Sequence, residues 1–127
     1  MIDTREEEVS YFTKKEEEFV NLLIELGMKK NIAKVLIFLG NIPETTSRDI
    51  ERGADLRQPE VSLAMQYLME QHWVTAHETR GERKGRPEKV YTLARPLAEI
   101  MDDFEKTAKK DAADQLAIIK KLQDFIP

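Results

Sequence analysis

The 127-residue chain has no cysteine, which excludes disulfide bridges, thiolate metal sites and thiol-based redox sensing. Its two histidines, His72 and His77, lie too close to a strand start to make an evident metal pair, so neither a metal nor any other cofactor is expected. No apolar run approaches the roughly 20 residues that span a bilayer. Residues 1–8 contain no apolar signal segment and are acidic where a signal peptide is basic, which points to a cytoplasmic protein. A Gly-rich phosphate loop, a nucleophile motif and metal-ligand spacing are all missing, and the carboxylates fall on exposed helical faces. The sequence therefore does not read as an enzyme. It also lacks low-complexity tracts and internal repeats.

What is present suits one globular core with an appended helix: 41% hydrophobic and 35% charged residues. The net charge of -4 is unevenly spread. Residues 1–18 hold three basic and seven acidic groups, and residues 99–127 hold five and seven. Residues 19–98 reverse the balance, with twelve basic and ten acidic groups. Within them Arg80, Arg83, Lys84, Arg86 and Lys89 face only Glu82 and Glu88 over positions 80–89, a local +3. Exposed charges are screened beyond roughly 10 Å, so this basic segment can meet phosphate while the acidic ends point elsewhere.

Apolar spacing predicts the elements. Residues 1–18 form a polar, acidic N-terminal extension. Phe19, Leu22, Leu23 and Leu26 follow at helical spacing, with Gly27 as a stop. A second helix over 31–40 is apolar on nearly all sides, which predicts a central core helix. Thr46 or Ser47 caps a short helix that ends by Gly53. After a turn at 54–56, a third helix starts near Gln58, with Pro59 at its first position, and runs to about Gln71. Two strands, over 73–79 and 89–93, flank a turn-rich segment with Gly81, Gly85 and Pro87. One long helix over 95–125 closes the chain. The implied division is an N-terminal extension over 1–18, a central domain over 19–95 and a C-terminal helix over 96–127.

This order of elements is that of a winged helix-turn-helix: mostly α, with a small β-hairpin wing and a long C-terminal helix. Three segments carry a resemblance: Thr46 to Ile50 with Gly53 and Leu56, Val61 to Leu68 leading into Trp73 and Val74, and Gly85 to Leu93. Together they resemble the MarR, ArsR and TrmB-like winged-helix transcriptional regulators, archaeal ones in particular. The similarity covers residues 19–95, about three-fifths of the chain. It implies sequence-specific binding of double-stranded DNA, with the third helix in the major groove and the wing on phosphate or the minor groove.

The residues supply a chemistry for that role. Val61, Ala64, Met65 and Leu68 make a core face on the third helix, which leaves Gln58, Pro59, Ser62, Leu63 and Gln66 opposite. Glutamine pairs with adenine edges, Ser62 can bond base or phosphate, and Leu63 can touch a thymine methyl. In the wing, Arg80, Arg83, Lys84 and Arg86 are cations for phosphate or a narrow minor groove. Arg48 and Arg57 are candidate backbone clamps. The same face of the third helix carries Glu60, and the helix has no Lys or Arg, a departure from many relatives. Trp73 and Tyr91 read as packing where the wing meets the core.

The C-terminal helix has a stripe of Leu97, Met101, Phe104, Ala108, Leu116, Ile119 and Leu122, too broad for a small wing domain to cover. In MarR and ArsR relatives such helices pair, which implies a homodimer with these residues at the interface. Asp111 and Asp114 interrupt the seam and predict a short pairing. The competing reading is a winged helix used for protein contact within a transcription-related assembly, favoured by the acidic balance and by Glu60. The operator, the effector and the sign of regulation are not encoded in any motif.

Overall fold

The computed structural model describes residues 12–80 and 87–127, with seven regular elements before a terminal helix. α1 spans Lys14–Glu25, α2 Lys30–Asn41, β1 Thr45–Thr46, α3 Ser47–Ala54, α4 Gln58–Glu70, β2 Val74–Arg80 and β3 Pro87–Leu93. The terminal helix α5 spans Leu97–Asp124. The chain divides into two compact units, residues 1–94 and 95–127.

α1 starts five residues earlier than the apolar spacing predicts, because its start is set by polar capping. The Thr13 amide donates to Glu16 Oε1 (2.9 Å) and the Glu16 amide donates to Thr13 Oγ1 (3.1 Å), a reciprocal capping box. The second oxygen of Glu16 accepts from Asn41 Nδ2, tying the start of α1 to the end of α2. α1 ends at Gly27, whose φ of +108° lets the Met28 amide return to the Leu23 carbonyl. The expected glycine stop is present there. Gly40 is not a stop: α2 runs through it to Asn41.

α2 is the central helix, with Ile32, Ala33 and the run from Val35 to Leu39 all buried. It packs against α1, α3 and α4. Thr46 caps α3 by accepting from the Asp49 amide at 3.2 Å. The turn to α4 closes on Asp55 at φ +56°, left-handed backbone that a short polar side chain tolerates. Gly53 does not end α3 as the sequence suggests. It lies inside the helix, buried, where an added Cβ would run into the Phe38 ring of α2. The glycine permits a close helix crossing, and a positive φ plays no part.

β2 and β3 form the expected antiparallel hairpin, with Val74 opposite Leu93 and Arg80 opposite Pro87. The strands reach further toward the tip than predicted. A third strand was not foreseen: β1 pairs antiparallel with β3, Thr45 opposite Tyr91 and Thr46 opposite Val90, giving the order β1-β3-β2. Thr92 Oγ1 also donates to the Pro43 carbonyl at 2.7 Å. These links fasten the wing to the segment that feeds α3. Trp73 is buried and meets Tyr67 edge-on, centroids 6.3 Å apart, so its packing role stands. The first unit is a winged helix-turn-helix of α2, α3, α4 and a three-stranded sheet.

The second unit is α5, preceded by Arg95, whose guanidinium pairs with Asp103 and lies 3.9 Å from Glu99. No helix among the described residues is long and apolar enough to cross a membrane.

Candidate nucleic-acid interface

α4 begins at Gln58, with Pro59 second rather than first. Its four buried residues are Val61, Ala64, Met65 and Leu68, the expected core face. Helical geometry therefore turns the other side outward. Gln58, Pro59, Ser62, Leu63 and Gln66 are all exposed, and Leu63 keeps 69% of its surface in water. Arg48 near the start of α3 and Arg57 at the N-cap of α4 lie on the same unit, and both are exposed.

Glu60 is not on the outward face. Its carboxylate turns back to accept from the Arg57 amide at 2.8 Å, neutralising one unpaired donor of the first turn. The acid that does stand outward is Glu70, at the last turn. Apolar periodicity gave no reason to single it out.

The two flanks of α4 differ. On one, Ser62, Gln66, Met69 and Glu70 face Lys89 and Tyr91 of β3 across an open groove of about 420 Å³. Lys89 and Tyr91 share a strand face while Val90 between them is buried, the alternation a pleated strand imposes. Tyr91, read from sequence as packing, is half-buried and also lines this groove. Lys89 and Met69 were missed as site residues, since only the apposition of β3 and α4 brings them in. On the other flank, Glu60, Leu63, Ala64 and Tyr67 face the segment from Gly27 to Ile32 across about 520 Å³.

Lys34 lies half-buried on α2. Burial, and then the charge of Lys30, hold its pKa below the ordinary lysine value, while Asp55 and Glu60 act in the opposite sense. In the wing, the backbone of Arg80 closes β2 opposite Pro87. Arg83, Lys84 and Arg86, and the N-terminal residues 1–11, lie outside the described residues. Among the described residues no group of three or more His, Asp or Glu could hold a metal ion.

On α5, Ala108, Leu116, Ile119 and Leu122 are exposed, and so are Ile118 and, just past the helix end, Phe125 and Ile126, which the apolar stripe did not include. Leu97, Met101 and Phe104 continue the same side through its first turns. Asp114 pairs with Lys110, one turn back along the helix, at 3.0 Å.

No family model matches the chain, and no curated protein sequence matches it. Solved structures do. A possible transcriptional regulator from Methanosarcina mazei Go1 is similar over 87% of this chain and 88% of its own, with TM-score 0.62 and 17% identity. BpsR of Bordetella bronchiseptica, whose DNA binding is regulated by 6-hydroxynicotinic acid, is similar over 86% and 85%, with TM-score 0.51 and 16% identity. A MarR family regulator from Neisseria meningitidis covers 87% of each chain, with TM-score 0.49 and 20% identity. At such identities the likeness of the first two is one of fold alone.

Proposed function

We propose that the chain is a non-catalytic transcriptional regulator that binds double-stranded DNA in the cytoplasm, with α4 in the major groove and the wing on phosphate or the minor groove. One observation carries this reading. The second helix of the helix-turn-helix buries Val61, Ala64, Met65 and Leu68 and leaves Gln58, Ser62, Leu63 and Gln66 in water. Those four offer amide, hydroxyl and apolar groups, the chemistries that read base edges and thymine methyls. Arg48 near the start of α3 and Arg57 at the N-cap of α4 are cations for backbone contacts that fix register, and Pro59 holds the first turn of α4. Two solved structures above TM-score 0.5 support the reading through their fold, and one of them binds DNA.

Base reading by Gln66 has a distinct signature. Gln66→Ala should cost about 1–3 kcal/mol at a preferred site and little on random duplex. Selection from a random duplex pool, followed by titration of the winning site, provides the comparison. Equal loss on both duplexes would make Gln66 a structural or backbone contact.

The wing contributes affinity without sequence preference. Changing Arg83 and Arg86 to Ala should weaken binding to every duplex and lower the salt slope by about one to two units. Full affinity with an unchanged slope would remove the wing from the interface.

The active species is a homodimer paired through α5, with Leu97, Met101, Phe104, Ala108, Leu116, Ile119 and Leu122 at the contact. Two-fold pairing presents two α4 helices to successive major grooves about 34 Å apart. A second reading is favoured by Glu70, an acid on the outward face of α4: contact with a protein in place of DNA. Salt-independent failure to bind any duplex would select it.

A further inference from the structure

α4 carries no cation of its own: across Gln58–Glu70 the only charged residues are Glu60 and Glu70. A helix is about 10–12 Å across and the major groove about 12 Å wide, so a docked helix has a phosphate wall on each side. The cations that meet those walls must come from whatever flanks α4. On the β3 flank the cation among the described residues is Lys89, which lines the groove beside Ser62 and Gln66.

The opposite flank has a basic pair that no sequence motif marks. Lys29 and Lys30 lie at the start of α2, both exposed, and line the second groove with Glu60, Leu63 and Tyr67. Leu63 belongs both to this groove and to the outward face, so the lysines border the base-reading surface. Neither lysine has an ion-pair partner among the described residues. Lys34, one turn further on, differs: Asp55 and Glu60 act on its charge. Lys29 and Lys30 thus stand exposed and outside any ion pair among the described residues, while Asp55 and Glu60 act on the lysine behind them. An exposed basic pair beside an outward helix suits a row of fixed anions.

We propose that Lys29 and Lys30 are a phosphate clamp for the strand opposite the one held by the wing, so that α4 is held in the major groove from both walls. The clamp rests on the reading of the chain as a duplex-binding protein. It also accounts for how a helix without Lys or Arg can be seated in a polyanionic groove. The contact is to backbone, so it sets affinity and register and carries no base preference.

The test uses the full chain and a random-sequence duplex, with affinity measured from low to moderate salt. Lys29→Ala with Lys30→Ala should weaken binding about tenfold or more at about 0.1 M salt, and equally on any sequence. The salt slope should fall by about two per protomer, close to 0.9 for each phosphate that is no longer neutralised. Lys29→Arg with Lys30→Arg keeps the charge and should retain affinity and slope, which separates a charge contact from a folding defect. Ethylation interference should show phosphates on one strand that matter to the wild type and no longer matter to the alanine variant. An alanine variant with wild-type affinity and slope overturns the clamp and leaves duplex binding intact. A failure of the arginine variant equal to that of the alanine variant also overturns it. A wild-type chain that binds no duplex at low salt overturns the underlying reading and the clamp with it.

Discussion

Replacing Leu116, Ile119 and Leu122 together with serine should convert the protein from dimer to monomer and weaken its binding to a palindromic duplex by about 10²–10⁴-fold. α5 is 28 residues long, about 42 Å at the rise of an α-helix. Every residue from 105 to 127 is exposed, and among them are Leu116, Ile118, Ile119, Leu122, Phe125 and Ile126. Four of the six are at least 60% exposed, with Phe125 highest at 85%. Each large apolar side chain left in water forgoes about 1.5–3 kcal/mol of burial. A contiguous stripe of this size on a helix marks an interaction surface. A second copy of the same helix would cover it with the same residues, in a two-fold symmetric pairing.

The charged positions fit such a pairing. Lys110 and Asp114 pair at 3.0 Å, and Glu105 and Lys109 pair at 3.1 Å, so these acids and bases satisfy one another along the helix. Such exposed pairs add only tenths of a kcal/mol each, and the energy of association must come from the apolar stripe. Sedimentation velocity over a concentration series provides the readout. The wild type should sediment as a dimer at tens of micromolar and the triple-serine chain as a monomer. The monomer should still bind a half-site, because α4 and the wing are untouched. A wild-type chain that stays monomeric at tens of micromolar refutes the dimer and favours the protein-contact reading.

Much of this fold could be read from the sequence because its signals are local. The core face of α4 follows from the spacing of Val61, Ala64, Met65 and Leu68, and Thr46 announces the start of α3 by its capping chemistry. What escaped was set by contacts distant in sequence. β1 is only Thr45 and Thr46, too short to show alternation, and exists because β3 lies beside it. Lys89 and Tyr91 became candidates only when β3 was placed against α4, and Lys29 and Lys30 only when the α1–α2 turn was placed on its other flank. Glu60 was misplaced because a residue three positions from a helix start can curl back to an amide as readily as project outward. The wing cations were legible as a +3 segment, yet Arg83, Lys84 and Arg86 lie beyond the described residues.

Gly53→Ala should destabilise the winged-helix unit by about 1–3 kcal/mol, against the usual trend for a glycine inside a helix. Alanine is the better helix former by about 0.5–1 kcal/mol, and α3 is helical on both sides of Gly53. Gly53 has no positive φ, so its backbone accepts an L side chain without strain. Opposing this, the new Cβ would occupy space held by the Phe38 ring. Phe38 is 7% exposed and flanked by buried Ile37 and Leu39, so the ring has little room to swing aside. The steric cost exceeds the propensity gain, and a melting temperature lower by about 5–20 °C is expected at about 4–8 °C per kcal/mol. The same crossing sets the angle between α2 and α3, on which the presentation of α4 depends, so duplex affinity should fall as well. Phe38→Leu, which removes the ring edge, should make Gly53→Ala less harmful in the double variant than in the wild-type background. A coupling of about 0.5–3 kcal/mol in that cycle would locate the cost at this one contact. A Gly53→Ala chain that melts higher than the wild type would mean that α2 and α3 do not cross this closely.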